Sequence, residues 1–387
     1  MTFGRKSLIA MAFMGSMTLG SCSGAGSTDS GEGDRTGELL TVLVGSYSEP
    51  GDTALRAYSF DPASGEMKYL SSVPVANASY FTQAPSGIIY TVCESDDASA
   101  SISALRPAGV SDAPVLLNTE PVGSQAPCYI NISPDGRFVV TANYNGSTAA
   151  VFPVSTDGSV GQRSALIEFS GSGPVEGRQE KSHPHCIAFT PDGRYMLVND
   201  LGADRIRQFA VSNGTDSLVV SEPVREIEIR EGSGPRHIVF NDKGDRAYLI
   251  NEIGDNVTVL SYDGTELRPI QYIAADTIGA QGAGDIHLSP DGKHLYASLR
   301  LKNDGVVTFD VDSVSGMLSY KAHTPTVRHP RNFTLSPDGK MMLVAGRDDN
   351  AVQLLAIDAE SGIPADTGKK IEVSRPVCVK FVDLSSR

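Results

Sequence analysis

Four arginines, two histidines and a glutamate recur near the ends of apolar stretches: Arg236, Arg300, Arg331 and Arg347, His185 and His237, and Glu252. A guanidinium is a planar fork of donors that suits carboxylate or phosphate. Several gathered in one place, on a chain whose formal net charge is −14, would imply an anionic ligand. His185 and Glu252 add groups able to take and return a proton. Asn143 and Asp200 stand at related positions and would sit beside them. Against this, an arginine at a strand end is often only paired with a neighbouring carboxylate. The outcome depends on whether the chain brings these residues to one mouth.

The elements that would do so are repeats. The turn Ser133-Pro134-Asp135-Gly136 recurs as Thr190-Pro191-Asp192-Gly193, Asn241-Asp242-Lys243-Gly244, Ser289-Pro290-Asp291-Gly292 and Ser336-Pro337-Asp338-Gly339. A degenerate copy is Ala84-Pro85-Ser86-Gly87. Pro presets φ early in such a turn, and Gly supplies the positive φ that closes it. The turn glycines are 49, 57, 51, 48 and 47 residues apart, and each turn joins two apolar strands. A period of about 50 residues built from short strands matches a four-stranded propeller blade. A seventh inner strand, 376–381, ends the chain without its partner, and residues 40–47 supply one from the other end. Pairing the two removes free sheet edges. The expected fold is all-β: one seven-bladed β-propeller of four-stranded antiparallel blades, closed by its N- and C-terminal strands.

Inner strands align on Pro127, Pro184, Pro235, Ala283, Pro330 and Pro376. The third and fifth residues after these, such as Ile130 and Ile132, alternate as blade-packing positions. The first and second are Cys128-Tyr129, His185-Cys186, Arg236-His237, Gly284-Asp285, Arg331-Asn332 and Val377-Cys378. The next strand runs antiparallel, so its end lies beside that beginning. Those ends read Glu94-Ser95, Asn143-Tyr144, Asp200-Leu201, Asn251-Glu252, Leu299-Arg300 and Gly346-Arg347. Both sets converge on one end of the channel. His185, Arg236, His237, Glu252, Arg300, Arg331 and Arg347 should therefore line one pocket, with Asn143 and Asp200 beside them. Arg205 and Arg207 fall on the following loop and read as structural.

Composition narrows the function classes. The 387 residues carry 32 Lys and Arg against 46 Asp and Glu, with no Trp and 7% aromatics. Such a chain lacks the phosphate-neutralising runs and stacking platforms that nucleic acid requires, and it suits an anionic membrane surface poorly. Arg5 and Lys6 precede a short apolar run, Leu8 to Leu19, and then Gly20-Ser21-Cys22. That pattern predicts a lipoprotein signal peptide over 1–22, with Cys22 lipidated. The Gly/Ser-rich stretch 23–38 reads as a flexible tether, and 39–387 as the propeller. The protein is thus expected to be exported, to face the periplasm or cell exterior, and to touch the membrane only through Cys22. Cys93, Cys128, Cys186 and Cys378 are too far apart for a zinc motif and read as buried free thiols. His183-Pro184-His185 lacks partner ligands, so no metal is expected.

At these positions the chain resembles the bacterial lactonase family typified by seven-bladed 6-phosphogluconolactonases. The matching segments are His183-Pro184-His185, Asn199-Asp200-Leu201-Gly202-Ala203-Asp204-Arg205, Gly232-Ser233-Gly234-Pro235-Arg236-His237 and Asn251-Glu252. Asp285-Ile286-His287-Leu288 with Leu295-Tyr296, and Pro330-Arg331-Asn332-Phe333, complete them. The family also looks like the fungal muconate-lactonising cyclase, whose His, two Arg and Glu would fall on His185, Arg236, Arg300 and Glu252. Ser298-Leu299-Arg300 departs from the usual Ser-Asn-Arg or Cys-Asp-Arg. The resemblance implies a monomeric hydrolase without cofactor that opens 6-phosphogluconolactone or a related small anionic lactone. By that match His185, Glu252, Arg236 and Arg300 would be catalytic, while the strand registers add His237, Arg331, Arg347, Asn143 and Asp200 as substrate-binding. Two other readings stand beside it: a non-catalytic propeller binding an anionic sugar or protein, and a muconate-type cycloisomerase.

Overall fold

Each Ser-Pro-Asp-Gly turn closes the inner hairpin of a blade. In the computed structural model, which describes residues 39–48, 53–109, 112–212, 218 and 222–385, Ser133 Oγ donates to Asp135 Oδ1 at 2.6 Å and Arg137 N donates to the same oxygen at 3.1 Å. Gly136 completes the turn at φ 73°. The same hydroxyl-to-aspartate bond recurs at Thr190, Ser289 and Ser336. Local turn chemistry thus helps fix the register of four hairpins.

Seven four-stranded antiparallel sheets follow one another in a ring, as the repeat predicts. Blade 4, for example, holds Pro184–Phe189, Tyr195–Asp200, Arg205–Ala210 and Arg225–Glu228. Blade 5 holds Pro235–Phe240, Arg246–Asn251, Asn256–Tyr262 and Leu267–Ala274. Blade 1 is built from both ends of the chain: Leu40–Ser46 pairs with Leu55–Phe60 on one side and with Pro376–Val382 on the other. The cores lie between blades. Val42, Val44, Phe60 and Val379 of blade 1 pack on Leu343, Ala345 and Val352 of blade 7, each buried side chain of this size stabilising by about 1.5–3 kcal/mol. Among the described residues there is no α-helix, only the 3-10 turn Leu201–Ala203. The expected signal peptide, Cys22 and the tether lie outside the described residues.

Two devices shape the channel end that carries the inner-strand starts. The first is a register shift at the start of the inner strand, seen between Pro127 and Tyr129, Pro184 and Cys186, Pro235 and Ile238, Ala283 and Ile286, and Pro330 and Asn332. A bulge breaks strict alternation and re-aims a side chain, so successive residues such as Arg236 and His237 both turn toward the ring axis. The second is a clip between neighbours. Asp204 of blade 4 accepts from Gly232 N and Gly234 N, each at 2.7 Å, just before blade 5. Asp255 of blade 5 likewise accepts from Gln281, Gly282 and Ala283 N, and Asp304 from His329 N. Asp204 and Asp255 adopt positive φ, 49° and 45°, which Asp tolerates better than most residues.

Candidate active site

Glu252, just past the end of the second strand of blade 5, gathers Arg236, Arg300 and His185 of the residues anticipated from the register. Its Oε2 accepts from Arg236 Nε at 2.8 Å and lies 3.1 Å from Arg300 Nη2. Its Oε1 accepts from Arg178 Nη2 at 2.5 Å. His185 Nε2 stands 3.9 Å from Oε2. Burial by itself would raise the Glu252 pKa, but the Arg300, Arg236, Arg178 and Arg331 guanidiniums outweigh it and hold the carboxyl at about 2. Burial also drives His185 well below its usual value, helped by the positive charge of Arg236. The imidazole is therefore neutral beside an ionised carboxylate, and its Nδ1 is buried without a hydrogen-bond partner among the described residues.

A cavity of about 440 Å³ opens in front of this pair, lined by Tyr47, Glu94, Asp96, Tyr144, His185, Glu252 and Arg331 among others. Arg331 lies 4.0 Å from Glu94 and above the Tyr47 ring, whose hydroxyl donates to both Glu94 oxygens at 3.0 and 3.1 Å. Arg236 and Arg300 are 1% and 4% exposed and do not reach the cavity wall; they stand behind Glu252. Arg236 further donates to Gly284 O at 2.8 Å, and Arg300 to Gly282 O and Ala283 O. Both arginines thus build the wall behind the carboxylate.

Below this layer a second one fills the channel. His237 Nδ1 donates to Asp285 Oδ1 at 2.6 Å, and His287 Nε2 to Asp285 Oδ2 at 2.8 Å. Asn332 Nδ2 is a third donor to that carboxylate. Tyr80 and Tyr129 stack at 4.2 Å, and both rings meet the edge or face of His237. His237, expected to bind substrate, is instead part of this floor. Burial holds its pKa at about 3, with Arg236 adding to the effect and Asp285 opposing it.

Three further expectations are corrected. Asn143 is fully buried and spends its amide on Thr141 and Thr148 within its own blade. Asp200, also fully buried, accepts from Ser182 Oγ, His183 N and Arg207, so it anchors a loop. Arg347 turns aside to Asp348 at 2.7 Å and lies outside the cavity wall. Arg205 and Arg207 pair with Glu226 and read as structural, as the sequence suggested. Arg178 was not legible: it sits on the long connection between blades 3 and 4, where no repeat register applies. Glu94 shares the register of Asn143 and Asp200, yet only the structure separates the one that meets the cavity from those that do not.

The two neutral histidines make acid sensitivity a checkable property. Unfolded, His185 and His237 would titrate near 6.5; folded, both resist protonation until much lower pH. The unfolded state therefore binds more protons as pH falls below about 6.5, and each histidine removes about 1.4 kcal/mol per further pH unit. The urea midpoint is expected to drop steadily from pH 6.5 to 5, before any ordinary carboxylate titrates. A flat midpoint across that interval would show that neither imidazole stays neutral in the fold.

The family model described as lactonase, 7-bladed β-propeller, matches residues 41–381. A 6-phosphogluconolactonase of Formosa agariphila is 33% identical over 330 residues, 83% of this chain and 93% of the relative. A solved Bacteroides fragilis structure, provisionally assigned as a 6-phosphogluconolactonase, aligns with a TM-score of 0.87 at 42% identity, covering 90% of this chain and 99% of that one. The Pseudomonas aeruginosa periplasmic gluconolactonase aligns at 0.84 and 30% identity, covering 89% and 99%.

Proposed function

Because the chain belongs to the seven-bladed β-propeller lactonase family, we propose that it opens the ring ester of a sugar lactone, with His185 taking the proton of the attacking water. It is a lactone hydrolase of the 6-phosphogluconolactonase type. The observation that carries the assignment of roles is the neutral His185 beside an ionised Glu252 at the wall of an open cavity. Both Glu252 oxygens are already taken by the Arg178, Arg236 and Arg300 guanidiniums, whereas His185 keeps a ring nitrogen without a partner among the described residues.

The water oxygen bonds to the lactone carbonyl carbon as its proton passes to the His185 imidazole. Negative charge moves to the carbonyl oxygen, where Arg331, the guanidinium on the cavity wall, stabilises it. The new imidazolium faces Glu252 at 3.9 Å, which favours its formation. Collapse of the tetrahedral species breaks the ring C–O bond, and His185 returns the proton to the departing ring oxygen. The product is an open hydroxy acid, ionised at neutral pH.

The test is ring opening of freshly prepared sugar lactones by the purified protein, followed above the spontaneous rate. Arg331→Ala should lower kcat/KM by about 10²–10³. Arg205→Ala, which removes a half-exposed pair with Glu226, should keep wild-type turnover. A wild-type protein that opens no sugar lactone defeats the proposal.

A further inference from the structure

The sequence pointed to an anionic ligand because Arg236, Arg300, Arg331 and Arg347 converge, but the structure shows all four already engaged, Arg347 with Asp348. Arg178, Arg236 and Arg300 share the Glu252 carboxylate and donate further to the carbonyls of Gln281, Gly284, Gly282 and Ala283. Arg331 faces Glu94. Of the four, only Arg331 borders the open cavity; the Glu252 carboxylate there is offset by its three guanidiniums, so Glu94 and Asp96 carry the acidic character of the wall. Besides His185, Ala126 and Cys128, the wall offers the hydroxyls and amide of Tyr47, Ser95, Tyr144 and Asn145, and Lys181 is tied to the Asn145 carbonyl at 2.5 Å.

We propose that this cavity selects a neutral polyhydroxy lactone over its phosphorylated counterpart, with Glu94 and Asp96 reading the sugar hydroxyls. The inference rests on the lactonase reading above and narrows its substrate class. An ionised carboxylate only accepts hydrogen bonds, so it is matched to sugar O–H groups and opposed to phosphate oxygens. Both carboxylates are held for that role. The Tyr47 hydroxyl fixes Glu94. Asn145 Nδ2 donates to Asp96 Oδ1 at 2.7 Å, and Gln125 Nε2 to Asp96 O at 3.0 Å. Asp96 stands on the exposed rim while Glu94 lies deeper, so the polar wall extends outward from His185 along the path a sugar chain would follow. A phosphate dianion on that chain would meet like charge at the rim, a repulsion that weakens as salt rises.

The experiment compares kcat/KM for gluconolactone and its 6-phosphate, using purified wild type, Asp96→Asn and Glu94→Gln of verified fold. Wild type should favour the neutral lactone by about tenfold or more. Asp96→Asn, on the exposed rim, should leave folding intact and shrink that ratio by about tenfold, chiefly through a lower KM for the phosphate. Glu94→Gln should shrink it too, while also raising KM for the neutral lactone. Higher salt should narrow the wild-type ratio, because rim charges are screened. Equal or better turnover of the phosphate, or a ratio unmoved by Asp96→Asn, overturns this inference while leaving the lactonase reading intact. Turnover of neither lactone overturns both.

Discussion

A variant lacking residues 39–48 is expected to show no cooperative unfolding transition at all. The strand Leu40–Ser46 is hydrogen-bonded on both sides, to Leu55–Phe60 and to Pro376–Val382, with Val42 opposite Phe381 and Val44 opposite Val379. Its removal takes Val42, Leu43 and Val44, all 1% exposed or less, out of two interblade cores. At about 1.5–3 kcal/mol for each such side chain, these three alone are comparable with the 5–15 kcal/mol that holds a typical domain together. It also leaves two unpaired strand edges facing one another, a template for aggregation. Deleting 23–37 should leave the melting curve of the ring unchanged. Identical melting of the two truncations would show that the closing strand has been misassigned.

His185→Ala is expected to lower turnover by about 10²–10⁴, the usual worth of a positioned general base, with only a small fall in melting temperature. The imidazole is 3% exposed and meets the Tyr144 and His237 rings edge-on, but its Nδ1 has no hydrogen-bond partner among the described residues and one side borders open space, so its loss costs packing and no hydrogen bond there. Glu252→Gln should behave differently. It leaves Arg178, Arg236 and Arg300 around a neutral amide, and stranding a buried charge costs about 3–5 kcal/mol. Its activity loss should therefore come with a lower melting temperature. If His185→Ala retained most of its kcat in a folded protein, another group would have to take the proton.

The architecture was legible because its local rules repeat. A turn spelled Ser-Pro-Asp-Gly sets its own hydrogen bonds, and the spacing of its glycines counts blades without reference to distant contacts. The same register brought His185, Arg236, Glu252, Arg300 and Arg331 to one end of the channel. It failed for Asn143 and Asp200 because position along a strand does not say which way a side chain turns: Thr148 and Ser182 draw these two into the blades. Arg347 was lost to Asp348, its own neighbour in sequence. Arg178 lies outside any repeat. The pairing of Arg236 and Arg300 with Glu252 was hidden for another reason, since it joins blades 5 and 6 and depends on bulges that no periodicity encodes.

The filled layer of Tyr80, Tyr129, His237, Asp285 and Asn332 turns the channel into a blind well. Substrate and product must then use the same doorway, so a second molecule waits until the first has left.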